Sequence, residues 1–340
     1  MARRVTLKDI ARESGYSESA VSLVLNNRSC RLSDQSKRCI RETARRLRYR
    51  PNEVARGLAM SKSNTIGLVI PDIENPFFSS LAKRFEERCR ETGCGLFIAN
   101  SDDRSAYDCE QLECLDARGV DGIAYVASNG GSEDDQADPI GVLAALSVPF
   151  VMIDRVIDGV RCDKVYVDNE LGAYMAALHL LDHGHRRIGC LANTSHTQNG
   201  SARLMGYRRA LSERGITFEP DYVAECDYHA ETGYAQTDLL IEAGVTAIFS
   251  TSDLITVGML CRLRERDIRI PEDISIVSFD NSPSLAFAWP GITAVDQDIP
   301  RLSSIAFDML TRRISGIDDD PMTSVVSPSL VVRNSVRSID

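Results

Sequence analysis

Two sets of side chains in this chain are spaced to do chemistry. The first sits at the ends of apolar runs. Asp72 follows TIGLVI, Asn100 ends GLFIAN, Asp154 ends FVMID, Asn193 ends RIGCLAN, Ser252 and Asp253 follow AIFST, and Asp280 ends ISIVSFD; Asp227 closes a shorter run. If the runs are parallel strands, these residues gather at the carboxyl edge of a sheet, where open α/β sheets bind ligands. Carboxylates and amides in such a cleft suit the hydroxyls of a polyhydroxy ligand. The second set follows Ser17: Glu18, Ser19, Ser22, Leu23 and Asn26 share the outer face of a short helical pattern. On a base-pair edge, Glu18 accepts from cytosine N4 and Leu23 meets a thymine methyl.

The second set belongs to a pair of short helices in VTLKDIARESGYSESAVSLVLNN, residues 5–27. Leu7, Ile10 and Ala11 fall on one face of the first helix, Thr6 caps it, and Asp9 in its first turn offsets the exposed amides. Gly15 ends it, because glycine takes the left-handed conformation freely. Ser17 caps the second, whose buried side carries Val21, Val24 and Leu25. Two helices joined by such a turn form either an ordinary helical hairpin or a helix-turn-helix. A third helix, SDQSKRCIRETARRLRY, turns Ile40, Ala44 and Leu47 inward and an arginine-rich side outward.

Charge favours the nucleic-acid reading. Residues 1–62 hold 15 Lys and Arg against 6 Asp and Glu, whereas the remainder holds 24 against 43. A basic head on an acidic body expects a polyanion at one end only.

With Thr6, Asp9, Ile10, Ala11, Gly15, Tyr16, Ser17, Val21, Ser22, Val24, Leu25 and Asn26 in place, residues 5–27 resemble the headpiece of the lactose-repressor (LacI/GalR) family. The resemblance runs along the whole chain. It implies a fold of an N-terminal all-α helix-turn-helix headpiece plus an α/β two-lobed periplasmic-binding-protein-like body of two doubly wound parallel sheets. The expected divisions are a headpiece at 1–48, a hinge at 49–63 and a body at 64–340. Within the body, lobe 1 covers about 64–163 and 294–322, and lobe 2 about 164–293 and 323–340. The three crossings between lobes are expected near 162–165, 292–295 and 322–324.

The resemblance also implies a function: an effector-responsive transcriptional repressor that binds near-palindromic operator DNA as a homodimer. The residues expected to meet DNA are Thr6, Ser17, Glu18, Ser19, Ser22, Leu23, Asn26 and Arg31, with Asn52, Ala55, Arg56 and Leu58 in the hinge. Leu58 matches the leucine that the family wedges into the minor groove, a known way to kink DNA. In the cleft, Arg203 matches the arginine of Ala-Arg-Leu-x-Gly, and Asp280 the aspartate that follows Phe279. Asn75, Phe77, Phe78, Asp154, Arg155 and Tyr228 match further effector positions, and Asp72, Ser252 and Asp253 complete the expected set. Structural alternatives stand beside these roles: Phe77 and Phe78 as core, Asp154 with Arg155 as an ion pair, Asp72 as a helix cap. Ser252 departs from the family's usual residues, so no particular sugar carries over.

Between the runs lie amphipathic helical patterns such as 77–92, 171–183 and 202–214, and a final strand is expected in SLVVRNS. No apolar run is long enough to span a membrane. The start MARRVTLKDIA lacks the apolar segment of a signal peptide, so a cytoplasmic protein is expected. Ten scattered cysteines without a CxxC pair suit reduced thiols. No leucine heptad follows the last strand, which makes a dimer the default. Nucleotide-binding, metalloprotease and serine-hydrolase signatures are missing, and no cofactor is expected. His179 and His183, four apart, are read as a surface pair rather than a metal site. A glycosidase would leave the basic head unexplained.

Leu23→Arg is expected to change base preference at one position of each half-site, because an apolar reader is replaced by a donor fork. Selection from a randomised operator measures it; an unchanged preference removes Leu23 from the reading surface.

Overall fold

The computed structural model describes residues 5–26, 29–49, 62–129, 137–193 and 198–339. The chain folds as two units, Met1–Ser63 and Asn64–Asp340. The hinge residues Asn52, Ala55, Arg56 and Leu58 lie outside the described residues.

The first unit holds α1 (Leu7–Ser14), α2 (Glu18–Leu25) and α3 (Asp34–Arg46). Thr6 and Asp9 form a reciprocal capping box at the start of α1, and Gly15 closes that helix at φ 77°. Ser17 and Ser33 cap α2 and α3. One face of each helix meets in a core of Ile10, Ala11, Val21, Val24, Ile40 and Ala44. Tyr49 packs back onto it, and its N–H bonds to the Ala44 carbonyl.

In the second unit the chain first winds β1 (Thr65–Ile70), α4 (Pro76–Thr92), β2 (Gly95–Asn100) and α5 (Ser105–Ala117). It continues through β3 (Gly122–Tyr125), α6 (Pro139–Ala145), β4 (Phe150–Ile153) and β5 (Asp163–Val167). A second lobe follows: α7 (Asn169–Asp182), β6 (Ile188–Ala192), α8 (Gln198–Glu213), β7 (Val223–Glu225) and α9 (Ala230–Glu242). Then come β8 (Ala247–Ser250), α10 (Asp253–Glu265), β9 (Ser275–Phe279), α11 (Pro283–Ala286) and β10 (Thr293–Asp296). The chain returns to the first lobe for α12 (Ile299–Ile314) and β11 (Thr323–Val326), and ends in the second with β12 (Ser329–Val331).

The sheet orders are β11-β5-β4-β3-β1-β2 and β12-β10-β9-β8-β6-β7. Pairing is parallel throughout both sheets except for β12, which runs antiparallel to β10.

This topology moves the expected lobe boundaries. The crossings fall at Asp168, at Gln297–Asp298 and between β11 and β12, each a few residues later than the sequence suggests. Strands β5 and β11 belong to lobe 1, where Thr323 to Val326 pair with Lys164 to Val167, and β10 belongs to lobe 2 beside β9. The final strand expected in SLVVRNS forms over Ser329–Val331 alone, as β12 of lobe 2, and β11 is a further short strand just before it in lobe 1. Strand β5 alternates buried and half-buried residues, and β11 is largely exposed, so neither reads as a continuous apolar run.

Two local features hold the lobes in shape. In lobe 2, α7 and α8 approach so closely that a Cβ on Gly206 would lie 2.1 Å from the Glu170 carbonyl oxygen. Glycine is required there for backbone-to-backbone packing. In lobe 1, Asp163 is buried and accepts two hydrogen bonds from Arg313 (2.8 Å each) and one from the Met322 N–H (2.7 Å). The bridge ties β5 to α12 and to the start of β11. Burial pushes the Asp163 pKa up, but Arg313 and the Met322 amide outweigh it and hold the carboxyl below its ordinary range.

Gly206→Ala is expected to cost ~1–3 kcal/mol as an overpacked contact, read as a lower urea midpoint at unchanged slope. Asp163→Ala is expected to cost ~3 kcal/mol, the low end of what breaking a buried ion pair costs. Because the folded pKa is depressed, this stability is present above the unfolded pKa of about 4 and is lost as pH falls through the folded value. Wild type and variant should therefore converge in acid, and a constant gap from pH 7 to pH 2 would refute the assignment.

Candidate functional site

On the first unit, Ser17 Oγ accepts the Ala20 N–H at 3.2 Å and sets the start of α2. Glu18, Ser19 and Asn26 are exposed, as are Thr6 and Arg31, while Ser22 and Leu23 are half-buried. Leu23 is not among the apolar side chains packed on the headpiece core. Asn26 Nδ2 donates to the Ser22 carbonyl at 2.9 Å, which folds its amide back along the helix. Arg41, Arg45, Arg46 and Arg48 are exposed on α3 and just beyond it. The outer face of α2 thus offers donors and acceptors, and α3 with Arg48 just beyond it adds positive charge to the same unit.

The second unit carries a cleft built from both lobes. Asn75, Phe77, Phe78, Asp154 and Arg155 line it from lobe 1; Asn199, Arg203, Tyr228, Ser252 and Asp280 line it from lobe 2. Gln297, at a crossing, completes it.

Arg203 is its most constrained member. Its guanidinium lies 3.7 Å from the Phe279 ring centroid. Nε donates to Asn169 Oδ1 at 2.8 Å and Nη1 to the Thr251 carbonyl at 2.5 Å. Asp280 Oδ1 stands 3.9 Å from Nη1. Asp280 itself accepts from Gln297 Nε2 at 2.5 Å and from the Asp253 N–H at 3.2 Å.

Across the cleft, Arg155 lies between the rings of Phe78 (5.0 Å) and Tyr228 (5.3 Å) and donates to Asp103 at 2.6 Å. Its ion-pair partner is thus Asp103, not the neighbouring Asp154. Asp154 accepts from Asn199 Nδ2 at 3.3 Å. Burial pushes its pKa up and so does the Asp280 charge, against the pull of Arg155 and Arg203. Asp154 and Asp280 both hold positive φ, 61° and 97°. Aspartate tolerates this region better than most residues, and such strain concentrates at ligand clamps.

Two of the expected residues do not line the cleft. Asp72 closes a turn, its Oδ1 accepting the Glu74 N–H at 2.8 Å. Asp253 lies behind it: Ser278 Oγ (2.6 Å) and the Ser282 N–H (2.5 Å) hold its carboxylate. Burial first, and the Asp280 charge second, push its pKa up to about 7. Phe77 and Phe78 are both core and lining, since they pack in the lobe 1 cluster and still border the cleft. Asn75 caps α4 through the Phe77 N–H (3.0 Å) as well as lining the cleft.

Asn199 and Gln297 join the cleft beyond the residues that the sequence points to. Asn199 sits four residues before Arg203 and so shares its helix face. Gln297 has no local signal, since only the crossing brings it beside Asp280. The His179 and His183 rings lie 4.3 Å apart, tilted by 54°, at the end of α7, half-buried rather than on the surface. Burial first, then His183, pulls the His179 pKa down. Among the described residues no group of three metal-ligating side chains is assembled, and no helix is long and apolar enough to cross a membrane.

The cleft is narrow, with about 20 Å³ of free volume, room for about one water. Among the described residues, Tyr228 Oη and Gln297 Oε1 are buried in it without a hydrogen-bond partner. Buried polar atoms are almost always paired, so these two mark a place for a polar guest.

Residues 6–52 match the model for bacterial regulatory proteins of the lacI family, and residues 177–336 match the periplasmic binding protein-like domain. The chain is 30% identical to the HTH-type transcriptional repressor PurR of Pasteurella multocida, over 98% of this chain and 99% of that protein. It is 32% identical to the ribose operon repressor of Haemophilus influenzae, over 98% and 99%. It superposes on the lac repressor dimer bound to operator and the anti-inducer ONPF with a TM-score of 0.86, at 26% identity, covering 99% of this chain and 100% of that one. Full-length similarity of this kind, on a helix-turn-helix unit and a two-lobed body with a polar cleft, means that the chain belongs to the lacI family of bacterial regulatory proteins.

Proposed function

We propose that this regulator is a cytoplasmic, non-catalytic repressor that binds a near-palindromic operator as a homodimer and responds to a sugar-like polyol in the interlobe cleft. The outer face of α2 reads bases in the major groove, and basic side chains of α3 meet phosphates. The hinge adds minor-groove contacts, with Leu58 as wedge.

The observation that carries the effector reading is the cleft itself. Arg203, Asp280, Asp154 and Asn199 come from two lobes, and the orphaned Tyr228 Oη and Gln297 Oε1 face the same space. The unfilled positions are mostly acceptors, which suits a ligand rich in hydroxyl donors. The Phe78 and Tyr228 rings border its apolar faces.

With so little free volume, a sugar ring enters only when the lobes part. Ligand therefore binds open and closed arrangements unequally, which is the sole requirement for shifting their populations. The shift reaches the operator through the dimer and the hinges.

Arg203→Ala and Asp280→Ala leave the headpiece and hinge untouched, so operator affinity without ligand is expected to stay as in the wild type. Response to effector is expected to fall, because truncating a charge-assisted contact costs ~1.5–3 kcal/mol, roughly ten- to hundredfold in affinity. A fluorescence-anisotropy titration of operator, with and without sugars, measures both. Wild-type response in both variants would refute the cleft assignment, and consumption of the ligand would refute the non-catalytic reading.

A further inference from the structure

We propose that a second ligand subsite adjoins the cleft, on the open face of the lobe 1 sheet edge, and that it holds the second ring of a carbohydrate longer than a monosaccharide. This rests on the polyol reading of the cleft.

Beside the narrow cleft lies a cavity of about 460 Å³ that shares Asp154 and Asn199 with it. That volume falls in the range of roughly 300–1,000 Å³ usual for small-molecule sites. Its floor is a sheet face. Along β5, Asp163, Val165 and Val167 are buried, whereas Lys164 and Tyr166 are half-buried on the other face. Register places Thr323 beside Lys164 and Val325 beside Tyr166, and Val325 is 51% exposed. The floor is thus an aromatic ring next to an aliphatic side chain.

The rim is polar. Asp158 from lobe 1 accepts from Gln198 Nε2 of lobe 2 at 3.2 and 3.3 Å. Glu170 lines the same space. Lys164 Nζ donates to the Ile157 carbonyl at 3.1 Å, which leaves two of its three N–H groups for a guest. Among the described residues, the Tyr166 hydroxyl has no hydrogen-bond partner in the protein.

A ring face bordered by carboxylates, an amide and an ammonium suits a sugar ring: CH groups lie on the aromatic face and hydroxyls reach the rim. Asp158, Asp168 and Glu170 outnumber Lys164 among the charged lining groups, so the subsite disfavours phosphorylated or carboxylated extensions. The Asp154–Asn199 contact stands between the two chambers. A guest spanning both would displace it, coupling chain length to lobe opening.

Isothermal titration of the full chain with glucose and galactose, and with cellobiose, maltose and lactose, tests the proposal. At least one disaccharide is expected to bind about tenfold or more tighter than its monosaccharide, the weight of one or two added hydrogen bonds with a stacked ring. Tyr166→Ala and Lys164→Ala are each expected to reduce that gain while leaving monosaccharide affinity and ligand-free operator binding unchanged. Tyr166→Phe is expected to keep most of it. Monosaccharide binding with no gain for any disaccharide overturns the subsite and leaves the cleft reading intact, as does equal weakening of both sugar classes by Tyr166→Ala. Binding of neither class overturns the polyol reading and this inference together.

Discussion

The fixed position of the Arg203 guanidinium is the constraint on which the cleft depends. A buried cation needs compensating contacts, and Arg203 finds them on several sides: the Phe279 face, the Asn169 amide oxygen, the Thr251 carbonyl and the nearby Asp280 carboxylate. These partners come from β9 and its end, the start of α7 and the loop after β8. Gly206, three residues on, lets α8 lie against α7 closely enough for Arg203 to reach Asn169. The motif that carries Arg203 therefore encodes both the side chain and the approach that orients it.

Around this cation the carboxylates are unequal. Asp280 lies beside Arg203 and accepts from an amide side chain and a backbone N–H. Asp253, next to it, is pushed up to about 7 by burial first and by the Asp280 charge second. Asp154 faces them from the other lobe with a single amide donor and a raised pKa. Closing the lobes thus brings acids together in a space too small for more than about one water. A ligand that inserts hydroxyl donors relieves this arrangement, and an anion aggravates it.

Much was legible in the chain's own spacing. The capping pattern of Thr6, Asp9 and Ser17, the stop at Gly15 and the inward Ile10, Val21 and Ile40 follow from helix geometry, which is local. The apolar runs became strands; β1, β4, β6, β8 and β9 are buried on both faces and so read as continuous apolar stretches, whereas β2, at the sheet edge, keeps an apolar sequence with Phe97 and Ile98 exposed. Residues at their carboxyl ends, Asp154, Ser252 and Asp280, line the cleft. What spacing left undecided is set by contacts between distant segments. Strands β5, β10, β11 and β12 are short or half-exposed, and their lobe is chosen by which sheet edge offers hydrogen bonds. Gln297 reaches Asp280 only because the chain crosses there, and Arg155 takes Asp103 as partner because the β2–α5 loop lies beside it. Asp72 and Asp253 end apolar runs as the others do, yet a turn and a shell of serines claim their carboxylates. Strand ends are written in the order of polar and apolar residues, but which of them face a common cleft depends on pairing across the whole body, and that is a property of tertiary structure.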